Sequence, residues 1–135
     1  MRTAALDVGD ARIGVAISDE LGLTVRGLGT VTRSGGIRDL EAVARLLAPW
    51  EPARIVVGLP LGMDGSEGRQ AVRTRAFADR LAAHLGLPVA LWDERLTRVA
   101  AEERLRARGV RGPRRRTLVD QEAASVILES WLQRR

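Results

Sequence analysis

The chain has 135 residues, 45% hydrophobic and 29% charged, with a formal net charge of +5 and a sequence pI of about 11.3. That is enough chain to bury one core, so residues 1–135 are expected to form a single soluble domain, and no apolar run approaches the roughly 18 residues that a membrane span requires. Cysteine is absent and His84 is the single histidine, which excludes disulfides, thiolate metal sites and cysteine nucleophiles.

Asp7 interrupts the N-terminal apolar stretch where an export signal would continue, so the chain is expected in the cytoplasm. Thr3 to Val8 predicts a first strand, closed by the turn Gly9-Asp10. Ile13 to Ser18 and Thr24 to Thr32 predict two more, the last interrupted by Gly27 and Gly29. Short connections make these three an antiparallel meander. Leu40, Val43, Leu46 and Leu47 recur at helical spacing, so a helix runs from about Arg38 to Ala48 and stops at Pro49.

Arg54 to Gly58 is a continuous apolar strand of the buried parallel kind. A glycine-rich loop, Leu59 to Gly68, leads into a helix from about Gln70 to Leu85 with Gly86 beyond its end. Pro88 to Trp92 is a fifth strand, parallel to the fourth because a helix separates them. A helix from Arg98 to Arg108, a mobile Gly-Pro-Arg-rich loop from Gly109 to Arg116, and a last helix from Leu118 to Gln133 complete the chain. The fold class is α/β: a mixed five-stranded sheet, three antiparallel strands then two parallel ones, with helices on both faces.

Three acids stand out. Asp7 ends a strand of Ala, Leu and Val, where a carboxylate is costly unless paired or bound to a cation. It also suits the opening of the Asp7-Val8-Gly9-Asp10 turn. Glu94 directly follows the fifth strand, and ligands of open α/β sheets collect outside the carboxyl ends of strands. Alternation does not settle whether Asp93 or Glu94 turns inward. Asp120 shares one helical row with Ala124, Ile127 and Trp131, which puts it on the apolar face. A favourable position near the helix N-terminus explains its place along the helix but not that face. If the first and fifth strands lie near the middle of the sheet, the three carboxylates converge. Oxygen ligands without Cys select Mg2+ or Mn2+ over Zn2+.

All 22 basic residues are arginine, and the absence of Lys, Asn and Tyr matches a GC-rich coding bias. The positive balance still favours an anionic partner. Only Trp50, Trp92, Trp131 and Phe77 are aromatic, too few for a module that stacks single-stranded bases. The arginine-rich stretch containing Arg108, Arg111, Arg114, Arg115 and Arg116 immediately precedes Asp120, and backbone phosphate contact is its expected role. The segment Asp7 to Gly14 also resembles the first phosphate loop of the actin and sugar-kinase ATPases, but those proteins close two such domains on the nucleotide.

Four motifs, taken together and in this order, resemble the YqgF/RuvX family over nearly the whole chain. They are Leu6-Asp7-Val8-Gly9 with Arg12-Ile13-Gly14-Val15-Ala16; Val57-Gly58-Leu59-Pro60 with Asp64-Gly65-Ser66; Asp93-Glu94-Arg95-Leu96-Thr97; and Asp120-Gln121-Glu122-Ala123-Ala124-Ser125-Val126-Ile127-Leu128. The resemblance implies a ribonuclease-H-like fold related to the RuvC resolvases. It implies that Asp7, Glu94 and Asp120 are the catalytic, metal-binding acids, with Asp93 and Glu122 as neighbours. Arg98 departs from the family pattern, which has a second hydroxyl residue after Thr97. The implied activity is metal-dependent phosphodiester hydrolysis, in maturing the 5′ end of pre-16S ribosomal RNA or in resolving Holliday junctions, the latter requiring a homodimer. A non-catalytic RNA- or ribosome-binding protein is the third expectation. Two ions about 4 Å apart are expected, with Asp7 bridging them and the product carrying a 5′-phosphate. The Gly58–Ser66 loop would approach the substrate closely. Arg12 and Arg95 would contact phosphates or orient an acid.

Overall fold

A computed structural model describes residues 1–134; Arg135 lies outside the described residues. The elements are β1 (Thr3–Val8), β2 (Arg12–Ser18), β3 (Val25–Thr32), α1 (Ile37–Leu47), a single 3-10 turn (Ala48–Trp50), β4 (Arg54–Leu59), α2 (Arg69–Leu85), β5 (Val89–Asp93), α3 (Thr97–Ala107) and α4 (Gly112–Leu132). The strands form one sheet in the order β3-β2-β1-β4-β5. β1 pairs antiparallel with β2 and parallel with β4, β2 pairs antiparallel with β3, and β4 pairs parallel with β5. One expectation is thereby corrected. β5 lies at the sheet edge and not near its middle, and β4 separates it from the central β1.

β1 is buried at every residue because it is central and covered on both faces, which is why its sequence runs apolar without alternation. On one face, Leu6, Val8, Ile13, Val15, Ile17, Ile55 and Val57 pack against Leu40 and Val43 of α1 and Phe77 and Leu81 of α2. On the other face, the floor is small: Ala5, Ala16 and Val56 lie under Ala124, Ile127, Leu128 and Trp131 of α4. Burying Ile127 and Leu128 fully contributes about 2–3 kcal/mol each relative to exposure. The small floor lets α4 approach the sheet closely. A Cβ at Gly14 would lie 1.9 Å from the backbone oxygen of Asp120. β3 accommodates its glycines through a bulge: Val15 pairs with Gly29 and Ala16 with Gly27, leaving Leu28 unmatched.

The expected mobile loop from Gly109 to Arg116 is also corrected. α4 begins at Gly112, so Pro113 to Arg116 are helical. Pro113 sits in the first turn, where its fixed φ suits a helix and its missing N–H removes no bond. α3 ends at a left-handed Gly109 (φ 78°), with the Val110 amide donating to the Leu105 carbonyl. Val110 then joins Ala101, Leu105, Val119 and Ala123 in a small cluster that fastens α3 to α4.

Candidate active site

Because β1, β4 and β5 are mutually parallel, their carboxyl ends share one edge of the sheet, and the acids gather there. Asp7 is the penultimate residue of β1, 8% exposed, and opposite it on β2 stands Gly14. Asp120, 2% exposed, comes down on this pair from the third turn of α4. With α4 starting at Gly112, Asp120 is eight residues into the helix. The N-terminal dipole therefore no longer accounts for its position, since that effect fades within the first turn.

Glu94 reaches this place from an edge strand, and Gly58 explains how. The Glu94 amide donates to the Leu59 carbonyl at 3.1 Å, continuing the β4–β5 ladder one residue past the strand. Its side chain then leans back across β4 over Gly58. A Cβ at that glycine would lie 3.0 Å from Glu94 Oε2, 3.1 Å from Glu94 Cβ and 2.5 Å from Ile127 Cδ1. A missing side chain in β4 thus opens the path from edge to centre. Leu96 turns the chain immediately afterwards with a left-handed φ of 64°, a conformation costing a bulky L-residue about 1–2 kcal/mol. The turn starts α3 at Thr97, so that Arg98 points back at the acids.

Asp7 and Glu94 are in side-chain hydrogen-bond contact. Burial pushes the Glu94 carboxyl up to about 9; the neighbouring Asp7 charge pushes the same way, and Arg98 opposes it. Burial also raises Asp7, against the pull of its Glu94 bond and of Arg98, while Asp120 adds to the rise. Arg98 Nη2 lies 2.7 Å from Asp120 Oδ1 and 3.7 Å from Asp7 Oδ2. Arg12 Nε donates to the other Asp120 oxygen at 2.6 Å. Asp7 and Glu94 therefore touch directly, and Asp120 joins them through the Arg98 guanidinium. Among the described residues, no three carboxyl or imidazole side chains stand ready as a group to hold a metal ion.

The pair nonetheless fits a hard divalent cation. Its donors are all oxygen, and they are desolvated. The proton that Glu94 retains near neutral pH is what a bound cation would displace. Mg2+ is commonly held by one or two carboxylates, with water and substrate phosphate completing its shell.

The expected phosphate-contacting arginines fall into three groups. Arg95 is bonded to Asp93 through Nε at 2.8 Å and to the Met63 carbonyl at 3.1 Å, and Arg108 is bonded to Glu122. Arg12 and Arg116 instead line a groove of about 460 Å3 with Thr30, Thr32, Pro113 and Thr117. Arg111 and Arg114 are exposed, and Arg115 is half-buried, on the first turns of α4 and the residue before it. The groove threonines escaped the sequence reading because they come from β3 and α4, which meet only in the folded chain. Another groove of about 440 Å3, between Arg33, Gln70 and Arg80, opens on the α2 side of the sheet and contains none of the three acids.

A match to the RuvX family, described as Holliday junction resolvase, spans residues 1–134. A relative from Anaeromyxobacter dehalogenans (strain 2CP-C) is 53% identical over 135 residues, covering 100% of this chain and 98% of its own. One from Myxococcus xanthus (strain DK1622) is 52% identical over 132 residues, covering 98% and 87%. Both are provisionally named pre-16S rRNA nucleases. Among solved structures, the RuvC of T. thermophilus in complex with a Holliday junction substrate superposes with a TM-score of 0.57 at 19% identity, covering 98% of this chain and 96% of that one. The fowlpox virus Holliday junction resolvase gives 0.60 at 13%, covering 98% and 99%. The sheet and its helices therefore have the ribonuclease-H-like architecture of the RuvC resolvases.

Proposed function

The chain belongs to the RuvX family, and from that premise we propose that it is a divalent-metal-dependent endonuclease that hydrolyses phosphodiester bonds of structured nucleic acid, with 5′-end maturation of pre-16S rRNA in the cytoplasm as its task. The observation that carries this reading is the desolvated Asp7–Glu94 pair at the carboxyl edge of the sheet, with Asp120, Arg12 and Arg98 beside it. The names of the relatives at about half identity support the choice of RNA.

Asp7 and Glu94 would hold the ion, and Asp120 would complete the acidic site through the two arginines that it orients. When bound, Mg2+ or Mn2+ supplies Lewis acidity, lowering the pKa of water and offsetting charge on the phosphate. Arg12 links the two halves of the site, because it pairs with Asp120 and also lines the threonine groove. A nucleic acid backbone lying in that groove would meet Arg12, Arg116 and the hydroxyls of Thr30, Thr32 and Thr117, all groups that position phosphates without reading sequence. Arg111, Arg114 and Arg115 extend the positive field along the start of α4. Arg95 gives Nε and Nη2 to Asp93 and Nη1 to the Met63 carbonyl and so offers a phosphate least, whereas Arg12 and Arg108 each give a single nitrogen to a carboxylate. Among the described residues, no helix is long and apolar enough to cross a membrane.

The family description favours a second reading, a resolvase acting as a homodimer on a four-way DNA junction. Incubation with a 5′-extended rRNA precursor and with a four-way junction, side by side in Mg2+, separates the two. We expect the precursor to be cut to a product bearing a 5′-phosphate and the junction to be bound without paired nicks. Symmetric nicking of the junction by a dimer would establish resolution instead. Binding of both with cleavage of neither would leave a non-catalytic RNA-binding protein.

A further inference from the structure

Each carboxylate oxygen of Asp120 already carries an arginine: Arg98 Nη2 donates to Oδ1 at 2.7 Å and Arg12 Nε donates to Oδ2 at 2.6 Å. The same Arg98 nitrogen stands 3.7 Å from Asp7 Oδ2, so one cationic group already lies between two of the three acids. We propose that Arg98 holds the place of a second cation, and that the site takes one divalent ion, on Asp7 and Glu94, where two would otherwise be expected. The inference rests on the metal-dependent reading above.

Charge balance argues for it. Once a bound cation has displaced the Glu94 proton, three ionised carboxylates stand against the guanidinium groups of Arg12 and Arg98 and leave one net negative charge before the ion itself is counted. One divalent ion turns that into one net positive charge, which a substrate phosphate neutralises. A second ion would leave a net three positive charges within a few ångströms of one another, beside the buried Asp7 and Asp120, where water screens such repulsion less. Geometry agrees. Arg98 is fixed by the turn at Leu96 and the first turn of α3, and it contacts the acids with its head group while its side chain remains 49% exposed. A guanidinium in this position keeps its charge at every accessible pH. It would stabilise developing phosphate charge as an ion does, without being lost to chelators. Arg98 is in this sense a positioning residue for Asp120 and a permanent positive charge in the site.

Titration of the full chain with Mn2+, read by calorimetry and by the electron paramagnetic resonance of free Mn2+, tests this without reference to activity. The wild type is expected to bind one ion per chain. Arg98→Ala is expected to bind two, the first about tenfold more tightly because a like charge has left its neighbourhood. Arg98→Lys, which keeps the charge, is expected to stay at one. Two ions on the wild type would overturn the inference and leave the metal-dependent reading standing. So would an Arg98→Ala protein that binds one ion with unchanged Kd. No Mn2+ binding by any of the three proteins would remove both. Thermal melts of each variant confirm folding; should Arg98→Ala not fold, the wild-type and Arg98→Lys stoichiometries decide.

Discussion

Asp7→Asn is expected to lower cleavage roughly a thousandfold while leaving nucleic acid binding intact, because the lost ion stabilisation is worth several kcal/mol and each 1.4 kcal/mol is tenfold in rate. The substitution keeps the shape of the side chain and removes its charge, so β1 and the α4 contact should survive. Asp7 is central to the site by position: it touches Glu94, faces Arg98 and lies opposite Gly14. Substrate affinity measured in chelator should stay the same or rise slightly, since one negative charge near the phosphate has gone. Single-turnover cleavage together with a binding titration makes the distinction. Cleavage within about tenfold of wild type would mean that Asp7 does not hold the ion.

Gly14→Ala tests the close approach of α4. A Cβ there would stand 1.9 Å from Asp120 O, 2.2 Å from its carbonyl carbon and 2.8 Å from the Gln121 amide nitrogen, all backbone atoms that cannot rotate aside. The helix must move away from the sheet or the strand must deform. Overpacking of this kind costs on the order of 3 kcal/mol or more, which at this chain length lowers Tm by roughly 10 °C. The shift would also carry Asp120 out of register with Arg12 and Arg98, so cleavage should fall together with stability. A melting temperature within about 2 °C of wild type would show that α4 does not sit so near the sheet.

Much of this arrangement was legible in the residues. The order of strands and helices follows from apolar periodicity, and the inward face of Asp120 follows from its row with Ala124, Ile127 and Trp131, all buried. Three things were not. The start of α4 was obscured because Pro113 and Gly112 mark loops as readily as a helix N-terminus, and only packing of Val110 and Val119 against α3 decides between them. The edge position of β5 was hidden because strand order depends on which crossovers pack, not on local pattern. What compensates for it is Gly58, whose meaning emerges only when Glu94 is seen leaning over it. Arg98 stands out in the sequence only as a departure from the family pattern after Thr97, with no contact to suggest its role. Its role depends on the left-handed turn at Leu96, which no propensity would suggest for a leucine.

Asp93 and Glu94 illustrate the same limit at a single peptide bond. Asp93 ends β5 and Glu94 follows it, and alternation alone does not say which of them turns inward. In the structure Asp93 turns out to Arg95, with its oxygens bonded at 2.9 Å and 2.8 Å, and Glu94 turns in to Asp7. Asp93 sits below the usual carboxylate range because of Arg95, whereas Glu94 sits well above it because of burial. Neighbouring acids with opposite environments perform different tasks: one closes a turn, the other is poised to exchange a proton for a cation.

Diffraction from crystals soaked in Mn2+, recorded near the manganese absorption edge, would locate the cation directly. The account predicts an anomalous peak bonded to carboxylate oxygens of both Asp7 and Glu94, with Arg98 still holding Asp120. Strong manganese peaks elsewhere on the molecule, and none at that carboxylate pair, would contradict it.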